Sequence, residues 1–483
     1  MKQTAILTLT GTVILLSACA IGPRWQEPNM PVPAEFRGAS ISESTMADLP
    51  WQVVLSDPDL QSLLRDVFAH NRNLEAMQHN VNAARHYVTV QAAPLFPWLG
   101  YGGAVSKGMN NSGGSGIAHT SSTTTNPGSI SLNASWELDI WGNTRKRVES
   151  AKAQAEAAEE DFNNMRISLM KSVACGYLQL IMLDEQLAIA KNAVQSYSES
   201  LELFNNRLKG GIGTSQQTAA AQASLSSAEA QVPQLESQIA ALENTLSTLA
   251  GRMPGPIPRS RTLDDYVNAS DVAPGIPAHV LSRRPDIRSK ELALRAANAD
   301  IGVAITNFFP SISLTGAMGY ASADLRTAIS GHRTGWGVQA NLAGPLFRGG
   351  QLVGDYKMKK EAFMAAKAAY EQTVLNAMSE ISSTLTERRK FKDVLANQEK
   401  AVASYQEYVR LAKELYTQGL SNYYEVLTAQ QGLFPAQTQL AAMRFQYASC
   451  IPTLYTQLGG GWRDQQNDNL DANGQPAIPE PKE

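Results

Sequence analysis

The chain is short of several things that would each assign it a familiar role. Beyond its first twenty residues, no stretch approaches 18 consecutive apolar residues, so any bilayer crossing must be made by strands closed into a barrel. The net charge is −3 and no polybasic block is present, which removes the electrostatic footprint of a nucleic-acid binder. The six histidines, at 70, 79, 86, 119, 279 and 332, form no metal pattern, and HExxH is missing. No Lys-Ser/Thr pair follows Gly210 to Gly213 as a phosphate loop requires, and Gly113-Gly114-Ser115-Gly116 lacks the strand-to-helix setting of a nucleophile elbow. No acid–base pair can be nominated, so no enzyme activity, cofactor or metal is expected. Aromatic residues are 7% and charged residues 18% of the 483 positions, and Ala, Gln, Ser, Leu and Glu dominate long tracts. That is the composition of long helices.

Cysteine is scarce too, with three in all. Lys2, the apolar run Ala5 to Leu16 and then Leu16-Ser17-Ala18-Cys19 read as a signal peptide over 1–18, its apolar core too short to span a bilayer. The site resembles that of bacterial lipoproteins, which implies cleavage before Cys19 and acylation of its thiol. Ala20 follows where an inner-membrane retention signal would place Asp, which implies the outer membrane. Cys175 and Cys450 lie in helical patterns and suit packing as small apolar residues; a bridge between them stays open.

What the chain does have is an internal repeat. Leu203 to Ile212 matches Leu411 to Leu420, with Gly211 against Gly419, and the same offset aligns Ala221-Gln222 with Ala429-Gln430 and Gly251 with Gly459. The first copy is read as 19–270, with a β-hairpin at about 97–142, a coiled-coil hairpin 143–250 and a Pro-containing linker 251–270. The second is 271–458, with a β-hairpin at about 310–348 and a coiled-coil hairpin 350–458; 459–483 reads as a disordered tail.

Each helical lead-in ends at a proline, Pro97 or Pro310, after which the hydrophobic period becomes two. Ile130, Leu132, Ala134, Trp136, Leu138 and Ile140 alternate with Ser129, Ser131, Asn133, Ser135, Glu137 and Asp139, so one face suits lipid and the other water. Trp336, Val338, Ala340 and Leu342 alternate likewise, as do Ile312, Leu314, Met318 and Tyr320, while Leu99, Tyr101 and Val105 form a weaker strand. Lys107 to Pro127, rich in Gly, Ser, Thr and Asn, reads as a long exposed loop. Four strands cannot close a pore, and about eight only fill their own interior with side chains, so a water-filled duct needs three such chains and twelve strands.

After each hairpin comes a helical tract of about 65 residues, on the order of 100 Å long at 1.5 Å per residue. Val173, Tyr177, Leu180, Leu187, Ala190, Val194, Tyr197, Leu201, Phe204 and Leu208 recur at spacings of four and three, with one position missing at Asp184. A 3.5-residue period means left-handed supercoiling. The second tract keeps part of this seam from Ile381 to Tyr416, interrupted by Arg388 and Lys392. The helices turn back at Gly210-Gly211-Ile212-Gly213 and at Gln418-Gly419, where glycine permits the reversal. The fold class is therefore mixed but mainly α: antiparallel coiled-coil hairpins plus four strands per chain.

These features resemble the outer membrane factor (TolC-like) family, in particular its lipoprotein branch, over nearly the whole mature chain. Leu281-Ser282-Arg283-Arg284-Pro285-Asp286-Ile287 is the most specific string, followed by Glu291-Leu292, Ile301-Gly302 and Phe309-Pro310-Ser311-Ile312. Trp51, Asp57-Pro58, Trp141-Gly142, Pro345-Leu346-Phe347 and Gly419-Leu420-Ser421-Asn422-Tyr423 support it. The resemblance implies a homotrimeric channel in outer-membrane lipid, continued by a helical tunnel whose closable tip docks a periplasmic adaptor linked to an inner-membrane pump, in antibiotic and solute efflux. It places Arg207 and Tyr416 in the closing contacts of a periplasmic gate that also includes Thr428, with Tyr424 and Glu425 at its narrowest part, and Gly210, Gly211, Gly213, Gly419 and Ser421 at the adaptor-docking tips. Tyr424 stands where relatives have leucine, Thr428 where they often have an acid, and Gln217 where some have another. Glu425 fits two readings, a carboxylate ring favouring cations and a solvated outward side chain. His79 and His86 share a helix face near Met77; without a third ligand the surface reading is preferred to a metal site.

The same architecture would serve a type I protein-secretion channel, and the helices alone a structural envelope lipoprotein; the strands disfavour the latter. The cargo itself is not legible. Mass spectrometry of the mature N-terminus is expected to find acylated Cys19, and an unmodified chain beginning elsewhere would refute the lipidation.

Overall fold

The computed structural model describes residues 21–28, 30–31, 33, 35–36, 45–105, 107–112, 121–125, 128–267, 280, 282–322 and 334–461. Cys19 and the signal segment lie outside the described residues, as do His119, His279, Leu281, His332 and the chain from 462 onward. The helices are α1 (Trp51–Val54), α2 (Pro58–His70), α3 (Arg72–Ala92), α4 (Asn143–Lys209), α5 (Ser215–Leu249), α6 (Leu263–Val267), α7 (Pro285–Thr306), α8 (Gln351–Thr417) and α9 (Tyr423–Gln457). The strands are β1 (Trp98–Val105), β2 (Gly108–Ser112), β3 (Ser121–Thr125), β4 (Gly128–Leu138), β5 (Ser311–Ser322) and β6 (Thr334–Ala343).

The repeat is written into the helix boundaries. α4 and α8 are each 67 residues long and α5 and α9 each 35, and every start and end stands at the offset that separates Gly211 from Gly419. The glycines explain the match. Gly211, Gly251, Gly419 and Gly459 all have positive φ, between 68° and 79°. After each, the next N–H bonds a carbonyl five residues back, as in Ile212 to Arg207 and Leu420 to Leu415, both near 3 Å. This closes the orphan carbonyls of a helix end in a Schellman turn.

The chain forms two compact units, one of 1–29, 80–159 and 289–371, the other of 30–79, 160–288 and 372–483. Each takes segments from both sequence repeats. The first holds an antiparallel sheet in the order β1-β4-β5-β6. Its registers set Tyr101, Leu132, Met318 and Trp336 in one row across all four strands. These apolar side chains are exposed, so the face that the alternation assigned to lipid is uncovered. On the opposite face Gly102, Ser131, Gly319 and Gly335 form a row of small residues; at Gly319 a Cβ would come within 2.3 Å of the Ile130 carbonyl oxygen.

One expectation needs correction here. Part of the segment expected to be a long loop is ladder: β2 pairs with β3 in the register that β1 keeps with β4, Val105 opposite Gly128 and then Gly108 opposite Thr125. A hairpin whose register is unbroken goes on pairing backbone groups even where its side chains are small and polar.

The second unit buries the main core. Leu60, Leu63, Leu64 and Val67 on α2 meet Val173, Tyr177 and Leu180 of the α4 seam, each such side chain contributing about 1.5–3 kcal/mol when fully buried. An 18-residue window of α4 is apolar enough, by length and composition, to cross a membrane. Many of the apolar residues of α4 instead belong to this core.

Asp57, fully buried, caps α2 by accepting from the N–H groups of Asp59 at 2.8 Å and Leu60 at 3.4 Å. Its other oxygen accepts from the phenols of Tyr177, at 3.1 Å, and Tyr266. Burial, then the Asp57 carboxylate, pushes both phenol pKa values well above their ordinary range.

The expected linker, described as far as Val267, packs against the helices. Ile257 and Leu263 are buried, and Arg259 binds Asp184 on α4 and Glu243 on α5. This explains why the heptad seam skips Asp184: its carboxylate turns to the strap. Arg444 of α9 likewise binds Glu185 and Asp264, both at 3.1 Å. Arg284, from the most specific string, pairs with Asp286 at 2.6 Å and Glu380 at 3.1 Å and donates to the Gln457 carbonyl at the end of α9. Arg388 stays in its seam, buried, with its guanidinium 4.4 Å from the centre of the Tyr447 ring. Gly459, Gly460 and Gly461, the first residues of the expected tail, are buried. Gly459 closes the turn after α9.

Asp57→Ala should lower the thermal midpoint, because each orphaned phenol costs about 1–3 kcal/mol and the lost cap about 1 kcal/mol. Asp57→Asn keeps an acceptor and should lose less; equal midpoints for wild type and Asp57→Ala would refute the role.

Candidate gate at the helix-hairpin tips

Both hairpin tips belong to the second unit. Thr214 caps α5 reciprocally with Gln217, each side chain accepting from the other's backbone N–H at 3.3 Å. The Gln217 side chain is thus engaged in holding the first tip. Asn422 caps α9 through the Tyr424 N–H at 3.2 Å. Gly211 and Gly419 make the reversals, while Gly213 is needed for space, since a Cβ there would sit 2.8 Å from the Leu208 nitrogen. Gly210, Gly419 and Ser421 line the turns, and Ile212 and Leu420 are each 72% exposed there.

Arg207 and Tyr416 do meet. Arg207 Nη1 donates to the Tyr416 phenol oxygen at 3.4 Å, and the guanidinium carbon lies 5.9 Å from the ring centre. That hydrogen bond is longer than the usual 2.7–3.2 Å for N–H···O, so its hold is weak.

A firmer tie lies beside it, one that sequence reasoning missed. Tyr423 packs edge-on against Tyr416 at 4.9 Å and Phe204 at 5.3 Å. Its phenol lies 3.1 Å from the hydroxyl of Ser200. Ser200 shares its proton between Gln430 Oε1 at 3.2 Å and the Ser196 carbonyl at 2.8 Å, leaving its oxygen to accept from Tyr423. Ser200, Tyr423 and Gln430 are all buried, so each lost bond would leave an unsatisfied polar group. The available signal was a small polar residue beside the seam positions Tyr197, Leu201 and Phe204.

The remaining candidates sit on the exposed side. Glu425 accepts from the Tyr408 phenol at 3.1 Å, and that bond raises the phenol's pKa. Tyr424 is 49% exposed. Thr428 donates to the Tyr424 carbonyl at 2.9 Å, an internal helix bond that occupies its proton. Among the described residues no group of three metal-ligating side chains occurs; His79 and His86 are exposed.

An uncovered apolar sheet, paired helices of 67 and 35 residues and capped tips with an aromatic and polar tie define a channel subunit. Comparison with known proteins agrees. The sequence profile of the family described as outer membrane efflux protein matches residues 63–252 and 276–460. The toluene efflux pump outer membrane protein TtgC of Pseudomonas putida is 31% identical over 99% of both chains. The cation efflux system protein CusC of Escherichia coli is 29% identical over 93% of this chain and 97% of its own. Among solved structures, CusC superposes with a TM-score of 0.82 at 28% identity, over 92% of this chain and all of that one. The open-state MtrE channel of Neisseria gonorrhoeae gives 0.80 at 26%, over 92% and 99%. The chain belongs to the outer membrane efflux protein family. It is an outer-membrane channel component of an efflux system, in a family of channels rather than enzymes.

Proposed function

We propose that three copies of this chain form a passive duct through the outer membrane that conducts small solutes handed on by an adaptor and an inner-membrane pump. The observation that supports this most is the four-stranded sheet with one uncovered apolar face and two open edges, β1 and β6. In hydrocarbon an open edge leaves unpaired N–H and C=O groups, each costing several kcal/mol, so the edges must close on other copies. Twelve strands leave a lumen where about eight would fill it, and its inner rows are mostly Gly, Ser and Asn, with Trp98 opposite Ser135 and Glu137 opposite Ser313 on the same face. Cargo choice rests with the pump. The relatives are named for toluene and for cation efflux.

Lipidated Cys19 would add an anchor. Two residues later, the Ile21 N–H donates to the Trp141 carbonyl at 3.2 Å, just past the end of β4. The exposed Ile212 and Leu420 on their glycine turns suit docking of the adaptor, which then releases the closed tip.

In this reading Arg207 and Tyr416, with the Ser200–Tyr423–Gln430 tie behind them, hold the tip shut, and Tyr424 and Glu425 line its narrowest part. Tyr416→Phe combined with Arg207→Ser should raise single-channel conductance in planar bilayers; an unchanged conductance would remove these two residues from the gate. Three symmetry-related Glu425 carboxylates make a cation-favouring ring, so Glu425→Gln should weaken cation preference. Unaltered ion selectivity would return Glu425 to a solvated surface role.

A further inference from the structure

Just below the sheet, α4 carries a charged cleft that conduction and gating leave unused. Leu95, Arg145, Val148, Glu149, Lys152 and Glu156 line a volume of about 350 Å³, with Arg295 of α7 at its side. Those on α4 stand at i, i+3, i+4, i+7 and i+11, so they share one face of the helix. α4 is flanked by helices of its own chain: Arg85 of α3 binds Glu159 at 2.8 Å, and Asn143 donates to Thr306 of α7 at 2.8 Å. The cleft therefore lies away from the open edges of the sheet, where α3 leads into β1 and α8 follows β6.

It opens on the outer side of the wall. Trp136 belongs to the apolar set of β4, and its indole N–H donates to the Leu95 carbonyl at 3.1 Å, which sets the upper rim of the cleft beneath the lipid face. Thr144 and Arg147, from the opposite side of α4, instead line a separate depression with Glu137, a residue of the inner row.

The charges of the cleft are only partly used within the chain. Arg145 is fastened at the end of β4, its Nε donating to the Asp139 carboxylate at 3.1 Å and its Nη2 to the Asp139 and Ile140 carbonyls at 2.9 and 3.3 Å. Its Nη1 has no partner among the described residues. Lys152 stands three residues after Glu149 and four before Glu156, the spacing of helix ion pairs, yet binds neither. Glu149 turns to Lys146 at 2.7 Å, and Glu156 has only Arg295, at 3.9 Å. Lys152 and Glu156 are exposed.

We infer that the cleft binds the headgroup of an ethanolamine phospholipid of the periplasmic leaflet, its phosphate between Arg145 and Lys152 and its ammonium on Glu156. Arg145 and Lys152 are about 10 Å apart along the helix axis, and the polar layer of one leaflet is roughly 5–7 Å thick. Side chains of a helix lean toward its N-terminus, here the sheet end, and a long lysine stem carries its ammonium toward the lipid surface. The two cations thus bracket the layer in which lipid phosphates lie, and Leu95 and Val148 add apolar walls.

The mixed sign of the cleft selects the headgroup. A phosphate accepts charge-assisted hydrogen bonds from a guanidinium and an ammonium. A primary ammonium brings three donors to a carboxylate, whereas a trimethylated choline head brings none. A phosphoglycerol head sets its negative charge beside Glu149 and Glu156 with no cation to meet them. The assignment rests on the outer-membrane location and is independent of the trimer and of the gate.

Native mass spectrometry of the full-length protein in detergent tests it, with synthetic phosphatidylethanolamine, phosphatidylcholine or phosphatidylglycerol added to the micelles. Only adducts released on denaturation are counted, which separates them from covalently attached acyl chains. The wild type should retain the ethanolamine lipid, up to one per chain, several-fold more than either of the others. Lys152→Ala should lower that retention several-fold and Lys152→Arg restore it, since either cation holds a phosphate. Glu156→Gln should abolish the preference for ethanolamine over choline. These side chains are exposed, so wild-type thermal midpoints are expected for all three variants. Equal retention of the three lipids by the wild type means annular lipid only and overturns the site. Best retention of phosphatidylglycerol overturns the zwitterionic headgroup, and unchanged retention in Lys152→Ala removes the cleft from lipid binding.

Discussion

Everything in the sheet follows from one constraint: inside hydrocarbon there is no water to satisfy a backbone N–H or C=O, so every one must find a partner in protein. A helix meets that demand alone, but beyond its first twenty residues this chain has no long apolar run except the window in α4, whose helix supplies a buried core. Strands meet it only when closed into a ring. A four-strand sheet with two free edges is therefore an incomplete object, and its incompleteness dictates the alternation of side chains. The outer residues of each strand are mainly apolar, and the inner ones are mainly small or polar.

The helical parts are governed by how they end. A 67-residue helix has no intrinsic reason to stop where its counterpart stops, yet both do, and both return helices do as well. The left-handed glycine at each end supplies the reason, because only there can the chain reverse while closing the last carbonyls. Duplicated sequence thus became duplicated geometry through four glycines more than through the heptads between them, which have diverged as far as a buried Arg388 in one copy.

The local part of this was readable from the sequence. Period-two runs after Pro97 and Pro310, the 3.5-residue seam of α4 and the turning glycines each act on near neighbours, so their meaning survives without the fold. The parts that were missed depend on partners far along the chain. Asp57 could be read as a helix cap, but not as the acceptor of Tyr177 and Tyr266. Asp184 appeared as a gap in a heptad because its partner, Arg259, lies 75 residues away. Arg284 marked the family without disclosing that it ties Asp286, Glu380 and the end of α9 together. The Ser200–Tyr423–Gln430 tie was invisible for the same reason, although Tyr423 lay inside a recognised string.

That tie changes how the gate should be understood. A closure resting on a 3.4 Å arginine–phenol contact alone would yield to small perturbations, since a bond of that length contributes little against solvent. A closure backed by three buried polar side chains is held by the penalty for leaving any of them unpaired. Opening by the wholesale separation of α4 from α9 would incur that penalty in every copy. An adaptor that reversibly opens the channel must offset it with differential affinity for the open state. A motion that bends the tips beyond Ser200, breaking only the Arg207–Tyr416 contact and the outer edge of the aromatic cluster, demands far less of the adaptor. In the proposed gate the weak contact would serve as the moving part, and the buried tie as the pivot that keeps the two hairpins together while the tip is open.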